Sequence, residues 1–199
     1  MAFVNLFVLC VLPILFAAQS VLAAPLSLVG DSLDTRYHFL KADCFTLIKF
    51  VGETKNDFVA HRFQSVNYDH YYHFNGVDPV TDFYKIPEKV FLEKQTTLLF
   101  SLRSMIEQIV KNEATLPVAD NFKDRFQQIQ VEIEHMIAVL QQMEKSQNYP
   151  VTKPSNSPQP TPKPSSTPKE MEEWKLGTIK ELFLSLIYMQ AGINYQLSN

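Results

Sequence analysis

The feature that most constrains the fold is a proline-rich stretch between segments of helical periodicity. It contains the run VTKPSNSPQPTPKPSSTPKE, and seven of the twelve prolines of the chain fall between Pro150 and Pro168. Each proline lacks a backbone N–H donor and fixes its own φ, so neither a helix nor a sheet can continue through the stretch. Residues 147–168 are therefore predicted to be a linker between helices.

Four other segments carry apolar residues at alternating steps of four and three, the period of one helical face. The first stripe, for example, runs from Leu33 through Tyr37, Leu40 and Cys44 to Val51. The fourth segment is the most apolar and is expected to be buried on more than one side. The predicted helices span residues 32–56, 87–113, 120–146 and 169–195.

The lengths of the connections predict how these helices are arranged. A helix of roughly 25 residues is about 37 Å long, and a link that returns along it needs at least about 11 extended residues. The link at 114–119 is too short, so the second and third helices must be antiparallel neighbours. The links at 57–86 and 147–168 are long enough to cross over. The sequence thus predicts an all-α, long-chain four-helix bundle with up-up-down-down topology and two long crossover loops.

The amino terminus, MAFVNLFVLCVLPILFAAQSVLA, is typical of a secretory signal peptide, with a signal anchor as the alternative. We expect residues 1–23 to be removed after Ala23, leaving a secreted domain of residues 24–199 that does not insert into membranes. Cys10 would leave with the peptide. Cys44 would then have no intramolecular partner, and its place on the apolar stripe predicts a buried, unreactive thiol.

Several classes of function are disfavoured by the sequence. The formal charge of the chain is −3, and its charged residues form no large patch of one sign. A nucleic-acid partner is therefore not expected. We find no nucleophile elbow, phosphate-binding glycine loop or zinc-protease motif, and we therefore predict a protein that is not an enzyme and needs no cofactor. His61, His70 and His73 could bind a metal, but the preferred interpretation is that these residues pack over the bundle.

Some large apolar residues lie off the core stripes. Phe39 and Phe45 point away from the stripe of the first helix, so either the 57–86 link covers them or they anchor a partner protein. The same choice arises for Trp174, the only tryptophan, which stands where the linker ends. It is either a staple that closes the end of the bundle or an exposed anchor.

Three stretches carry a resemblance to a known family. MEEWKLGTIKEL (171–182) resembles the start of the last helix, and VEIEHMIAVLQQ (131–142) the third helix, of interleukin-six-type cytokines of the ciliary neurotrophic factor, leukaemia inhibitory factor and cardiotrophin-like group. GVDPVTDFYKIPEKVFLEKQ (76–95) is similar to the end of their first crossover. The resemblance implies a secreted, monomeric cytokine with growth factor activity in the immune response, which brings cell-surface receptor chains together.

The resemblance also implies receptor-binding positions. In that group a phenylalanine, followed three residues later by a lysine, opens the fourth helix and meets a leukaemia-inhibitory-factor-type receptor chain. Met171 and Trp174 occupy those positions here, with Lys175 beside them. The resemblance therefore implies a receptor-binding site at this location, although the phenylalanine–lysine motif itself is not kept. The outer faces of the first and third helices meet a shared signal-transducing chain in the group. The corresponding residues here are His38, Phe45, Gln127 and Glu134.

Three alternatives remain at this point. A type I interferon or another class II helical cytokine fits the third and fourth helices loosely, although most of these proteins use paired cysteines. A secreted carrier could hold an apolar ligand in a phenylalanine-rich interior, and a hydrolase is a more distant alternative. A cavity of excess volume would favour the carrier, whereas a filled core with exposed aromatic residues would favour the cytokine.

Overall fold

The computed structural model describes residues 32–65, 67–70, 72, 74–154, 160–162 and 166–198. Within these residues the chain forms four α-helices and no strand, which confirms the prediction of an all-α fold. The predicted signal peptide, Cys10 and part of the proline-rich linker lie outside the described residues. The helices are α1 (Leu33–Phe63), α2 (Glu88–Glu113), α3 (Lys123–Ser146) and α4 (Pro168–Gln196).

Local sequence signals explain where most of these helices begin. The Ser32 side chain accepts a hydrogen bond from the Thr35 backbone N–H at 3.2 Å and caps α1. Thr167 and Glu170 form a capping box at the start of α4, with Pro168 at the first helical position. Pro87 immediately precedes α2 in extended conformation and is its N-cap.

Helix α1 ends at Phe63, beyond the end at 56 that the sequence pattern indicates. The run from Gly52 to Asp57 is mostly polar, which obscures the continuing stripe. Phe58 extends that stripe, is fully buried, and packs edge-on against the rings of Phe122, at the N-cap of α3, and Phe126 within α3. Burial of this large ring against another helix outweighs the weak local signal.

Helix α3 begins at Lys123 rather than at the expected residue 120. A 3₁₀ turn over Val118–Asp120 follows Pro117, so Asp120 lies before α3 and does not cap it. The Asn121 side-chain oxygen accepts from the Lys123 backbone N–H at 3.2 Å, and a Glu113 carboxylate oxygen accepts from the Phe122 backbone N–H at 2.7 Å. A residue from the neighbouring helix thus satisfies a donor that the sequence alone leaves open.

The helices pack in pairs around one apolar core. Helix α2 packs along α3 and α1 along α4, while α1 also contacts α3 and α2 also contacts α4. All four stripes contribute to the interior, and the link between α1 and α2 adds Phe74, Val77 and Val80. No described helix combines the length and apolar character that a membrane span requires.

Gly192 lies at a close contact between α4 and α2. A Cβ atom at this position would lie 2.8 Å from the Cζ atom of Phe91, which is fully buried, and 3.3 Å from the Cβ atom of Phe83. Neither the ring nor its surroundings can shift easily, because close-packed interiors transmit such strain. The absence of a side chain at Gly192 therefore sets how closely α4 approaches α2.

We expect Gly192→Ala to lower the free energy of unfolding by about 1–2 kcal/mol, because the destabilisation from overpacking exceeds the gain in helix propensity. Gly52→Ala is the matched control. Its Cβ would lie 3.2 Å from the half-buried Phe183 ring, which can move, so stability should stay equal or rise. Urea unfolding of both variants measures the difference, and equal losses would contradict this account of Gly192.

Candidate partner-binding surface

Two phenylalanines of α1 are exposed although the opposite side of the helix is buried. Phe39 is 46% exposed and Phe45 is 63% exposed, while Leu40 and Cys44 have no exposed surface. The 57–86 link therefore does not cover these rings. Exposed aromatic side chains on a rigid helix offer large contact area at low conformational cost, which makes this part of α1 a candidate binding surface.

Two pairs of polar side chains show which side of α1 faces α3. The Asp43 carboxylate lies 3.6 Å from His135 Nδ1, and the Asp57 carboxylate lies 2.6 Å from Arg125 Nη1. Asp43 and Asp57 are two heptads apart on α1 and therefore lie on one side of the helix. This side of α1, together with the adjoining side of α3, forms a continuous outer surface.

Phe39 and Phe50 belong to the same side of α1, because they stand four residues before and seven residues after Asp43. Phe50 is half-buried and lines a groove of about 500 Å³ between α1 and α3. We refer to the surface formed by Phe39, Asp43, Phe50 and Asp57 of α1 with Arg125 and His135 of α3 as the α1/α3 face.

The α1/α3 face combines aromatic rings with carboxylates. Partial burial raises the pKa of the Asp43 carboxyl, and the neighbouring His135 lowers it by a smaller amount. A carboxyl whose pKa is raised in the folded state makes folding less favourable as the pH rises through its titration, so the ionised form of Asp43 is held at some cost to the fold. A recognition surface can retain such a group for contact with a partner.

Phe45 and His38 lie on a different side of α1. A Cβ atom at Gly52, seven residues after Phe45, would lie 3.2 Å from the Phe183 ring of α4, so this heptad stripe is the flank of α1 beside α4. His38 is seven residues before Phe45 and shares the stripe. Both residues are exposed, as a binding role would require, but they do not belong to the α1/α3 face.

The two residues predicted on α3 lie on its flank beside α2. The Arg103 Nε of α2 donates a hydrogen bond to the Glu134 carboxylate at 2.7 Å, and Gln127 stands seven residues before Glu134. Both side chains are exposed. The predicted set on the first and third helices therefore does not form one surface in the structure. Periodicity identifies the buried stripe but not which flank of a helix faces which neighbour. This is why Phe50 was missed and Phe39 was not assigned to a flank.

The residues predicted at the start of α4 are largely buried. Met171 is half-buried and packs against the core, whereas Trp174 is 2% exposed and Lys175 is fully buried. Trp174 and Lys175 thus offer no surface to a partner in this structure. Of the two interpretations of Trp174, the staple at the end of the bundle fits its burial.

The first link covers Trp174. The Phe74 ring packs edge-on against the indole with a centroid distance of 6.3 Å, and Phe74 is itself buried. Tyr72 stacks on Phe74 and lies against Gly177, where a Cβ atom would come within 3.2 Å of the Tyr72 Cγ atom. Tyr72 and Phe74 of the first link therefore pack over the bundle.

Lys175 belongs to a buried network of charges at this end of the molecule. Its Nζ lies 2.6 Å from Glu113 of α2 and 2.8 Å from Glu172, and neither Lys175 nor Glu113 has an exposed side chain. Arg62, near the end of α1, pairs with Glu113 at 2.8 Å and Glu172 at 3.3 Å. The network joins the ends of α1 and α2 to the start of α4, and Glu113 also receives the Phe122 N–H that opens α3.

A second buried carboxylate fixes the beginning of the proline-rich linker. Glu144 is 1% exposed and accepts hydrogen bonds from the Thr152 backbone N–H at 2.7 Å and from the Thr152 hydroxyl at 2.6 Å. The Thr96 hydroxyl of α2 lies 3.3 Å from the same carboxylate, and Gln141 Nε2 donates to the Thr152 carbonyl oxygen at 2.7 Å. The linker is therefore tied to α2 and α3 before its central prolines.

We expect Glu144→Ala to lower the free energy of unfolding by about 2 kcal/mol. The substitution removes two hydrogen bonds from Thr152 and one from the Thr96 hydroxyl, while water can reach Thr152. Thr152→Val keeps the backbone N–H donor and removes only the hydroxyl, so it should lower the free energy of unfolding by about half as much as Glu144→Ala. Glu93→Ala, an exposed carboxylate on α2, should change stability by less than about 0.5 kcal/mol. Chemical denaturation compares the three, and a Glu144→Ala loss no larger than that of Glu93→Ala would contradict the anchoring role.

Cys44 has the environment of a structural thiol. It is fully buried, donates its S–H to the Leu186 carbonyl oxygen at 3.2 Å, and is a free cysteine. Burial, with a smaller contribution from Asp43, raises the pKa of the thiol to about 12. The predicted burial of Cys44 is confirmed. Low reactivity stays a prediction, which the raised pKa supports because the thiolate is then scarce at neutral pH.

The histidines considered as metal ligands have other neighbours. His61 lies edge-on to the Phe122 ring with a centroid distance of 5.7 Å, and His70 Nδ1 lies 3.9 Å from the Glu173 carboxylate. His73 lies outside the described residues. Among the residues that the structure describes, no cluster of three or more potential metal ligands occurs.

Comparison with known proteins adds no relative. No protein-family model matches the chain, and neither the curated proteins nor the solved structures include a significant match.

Proposed function

We propose that this protein is a secreted helical cytokine of the interleukin-six type, which works by binding receptor chains at the cell surface and bringing them together. The observation that carries the proposal is the exposure of Phe39 and Phe45 on a helix whose other side is fully buried. A rigid bundle can present distinct faces to different partners, and signalling would follow from their proximity without any catalytic step or cofactor.

Contacts at the helix ends support up-up-down-down topology. Tyr37 near the start of α1 donates a hydrogen bond to Glu88 at the start of α2, at 2.9 Å, while Arg62 near the end of α1 pairs with Glu113 at the end of α2. Those two contacts favour parallel α1 and α2. Arg36 near the start of α1 donates to the Gln142 carbonyl oxygen near the end of α3, which favours an antiparallel α3.

The start of α4 completes this arrangement. Glu172 and Lys175 meet the residues that end α1 and α2, so α4 would run against both. With α3 and α4 then parallel, the two long links become crossovers, which is the connectivity of the long-chain cytokine bundles. The resemblance of residues 76–95, 131–142 and 171–182 to the ciliary neurotrophic factor and leukaemia inhibitory factor group points to the same class.

The interior favours binding at the surface over carriage of a ligand. Phe58, Phe91 and Phe126 have no exposed surface and fill the core with neighbouring aliphatic side chains. Aromatic side chains remain accessible on the outside of the bundle, among them Phe39 and Phe45 of α1. A carrier would need the opposite distribution, with accessible apolar area inside the bundle.

Binding of residues 24–199 to a panel of cytokine-receptor ectodomains, measured by surface plasmon resonance, tests the proposal. We expect Phe39→Ala or Phe45→Ala to weaken binding by about 2 kcal/mol or more, the scale of an interface hot spot, without changing the melting temperature. Val118→Ala removes an apolar side chain that is 91% exposed in the 3₁₀ turn and should bind like the unmodified protein. Absence of binding to every ectodomain, or full binding by both phenylalanine variants, would refute the proposal.

A further inference from the structure

The groove on the α1/α3 face has an aromatic wall and an acidic rim. Its volume is about 500 Å³, and the residues that line it include Phe50, Glu53 and Asp57 of α1 and Asp124 and Arg125 of α3. Three carboxylates thus face one guanidinium group. Because Phe50 is half-buried, its ring is fixed by the core and still presents part of its surface to the groove.

The one cation of the groove is already engaged. Arg125 Nη1 lies 2.6 Å from Asp57, so this pair is internally compensated. Glu53 and Asp124 are exposed, and within the described part of the chain neither forms an ion pair. Asp124 lies in the first turn of α3, where the helix dipole favours a carboxylate. Glu53 lies in the middle of α1 and has no such local role.

We propose that this groove receives an arginine side chain of the partner protein, with the guanidinium over the Phe50 ring and between Glu53 and Asp124. This inference rests on the proposed function, since it names the chemistry of a partner that binds the α1/α3 face. A guanidinium group is planar, weakly hydrated and able to stack on an aromatic ring while its N–H groups donate to carboxylates. Phe50 with a carboxylate from each helix supplies these complementary features.

Arginine is favoured over lysine by the shape of the site. The carboxylates come from two different helices with an aromatic ring beside them, so one flat cation with several donors can contact all three groups together. The ammonium group of lysine is compact and strongly hydrated. In this groove it would lose hydration and make fewer simultaneous contacts than a guanidinium group. The exposed position of the carboxylates keeps the charge contribution modest and sensitive to salt.

Titration of the isotopically labelled protein with Nα-acetyl-arginine-N-methylamide, followed by NMR, tests the inference without a receptor. We expect saturable shifts of the Phe50 ring and the Glu53 and Asp124 signals, at least about fivefold weaker binding in Glu53→Gln and in Glu53→Gln/Asp124→Asn, and weaker binding at high salt. Glu132→Gln, a carboxylate of α3 outside the groove, should bind the probe unchanged. The single variant Glu53→Gln keeps the test valid if Asp124→Asn disturbs the start of α3.

Two analogues of the arginine probe, with citrulline or lysine in place of arginine, test whether both the charge and the planar group are needed. The citrulline analogue lacks the charge and the lysine analogue lacks the planar group, so both should produce smaller, non-saturating shifts. Equal binding of either analogue, or no saturable shift at Phe50 with the arginine probe, would overturn the inference. Receptor ectodomains that bind the protein while the arginine probe does not would reject this inference alone. The opposite result would reject the proposed function and leave an arginine-binding groove.

Discussion

Replacing Lys175 by methionine is expected to lower the free energy of unfolding by about 3 kcal/mol, at the lower end of the range for breaking a buried ion pair. The ammonium group has no exposed surface and contacts Glu113 at 2.6 Å and Glu172 at 2.8 Å. Its loss leaves the Glu113 charge buried. The cost is limited because Arg62 and the Phe122 N–H still contact that carboxylate at 2.8 and 2.7 Å.

Lys111→Met is the matched control for this prediction, with the same residue types in a surface pair. Lys111 is 71% exposed and lies 2.7 Å from Glu107, four residues earlier on α2. Exposed pairs of this kind contribute little, so the control should lose less than about 0.5 kcal/mol. Urea unfolding at low and high salt provides both measurements. Similar losses in the two variants would show that the buried network does not hold the helix ends together.

The network also shows what the sequence could not reveal. The periodic stripes predicted four helices and the apolar core, since burial of one face is a local pattern that each segment displays alone. Lys175 and Glu113 are far apart in sequence and belong to polar positions next to those stripes. Their pairing depends on which helix ends meet, and no local pattern encodes that. Lys175 was therefore expected at a receptor contact although it is a buried structural residue.

The candidate surface shows the same limit. The sequence identified Phe39 and Phe45 as apolar residues off the core stripe, and both are exposed. The sequence pattern could not show on which flank of α1 each ring lies. The contact between Asp43 and His135 places Phe39 beside α3, while the Phe183 ring next to Gly52 places Phe45 beside α4. The two rings are thus on different outer surfaces of the bundle.

Trp174→Ala is expected to lower the free energy of unfolding by about 3–5 kcal/mol, because the indole is 2% exposed and its removal leaves a cavity beneath Phe74. For a chain of this size the loss corresponds to a fall of roughly 10 °C in melting temperature. The far-ultraviolet circular dichroism spectrum at low temperature should still be helical, since the other core side chains remain. Thermal melts followed at 222 nm measure the effect.

Phe45→Ala is the control that separates stability from recognition, since it also truncates an aromatic side chain, but one that is 63% exposed. It should change the free energy of unfolding by less than about 0.5 kcal/mol and weaken receptor binding instead. If Trp174→Ala melted like the unmodified protein and lost only receptor binding, the indole would be an exposed anchor in solution, contrary to its burial under Phe74. The two substitutions together therefore test whether the start of α4 is part of the core or part of a binding surface.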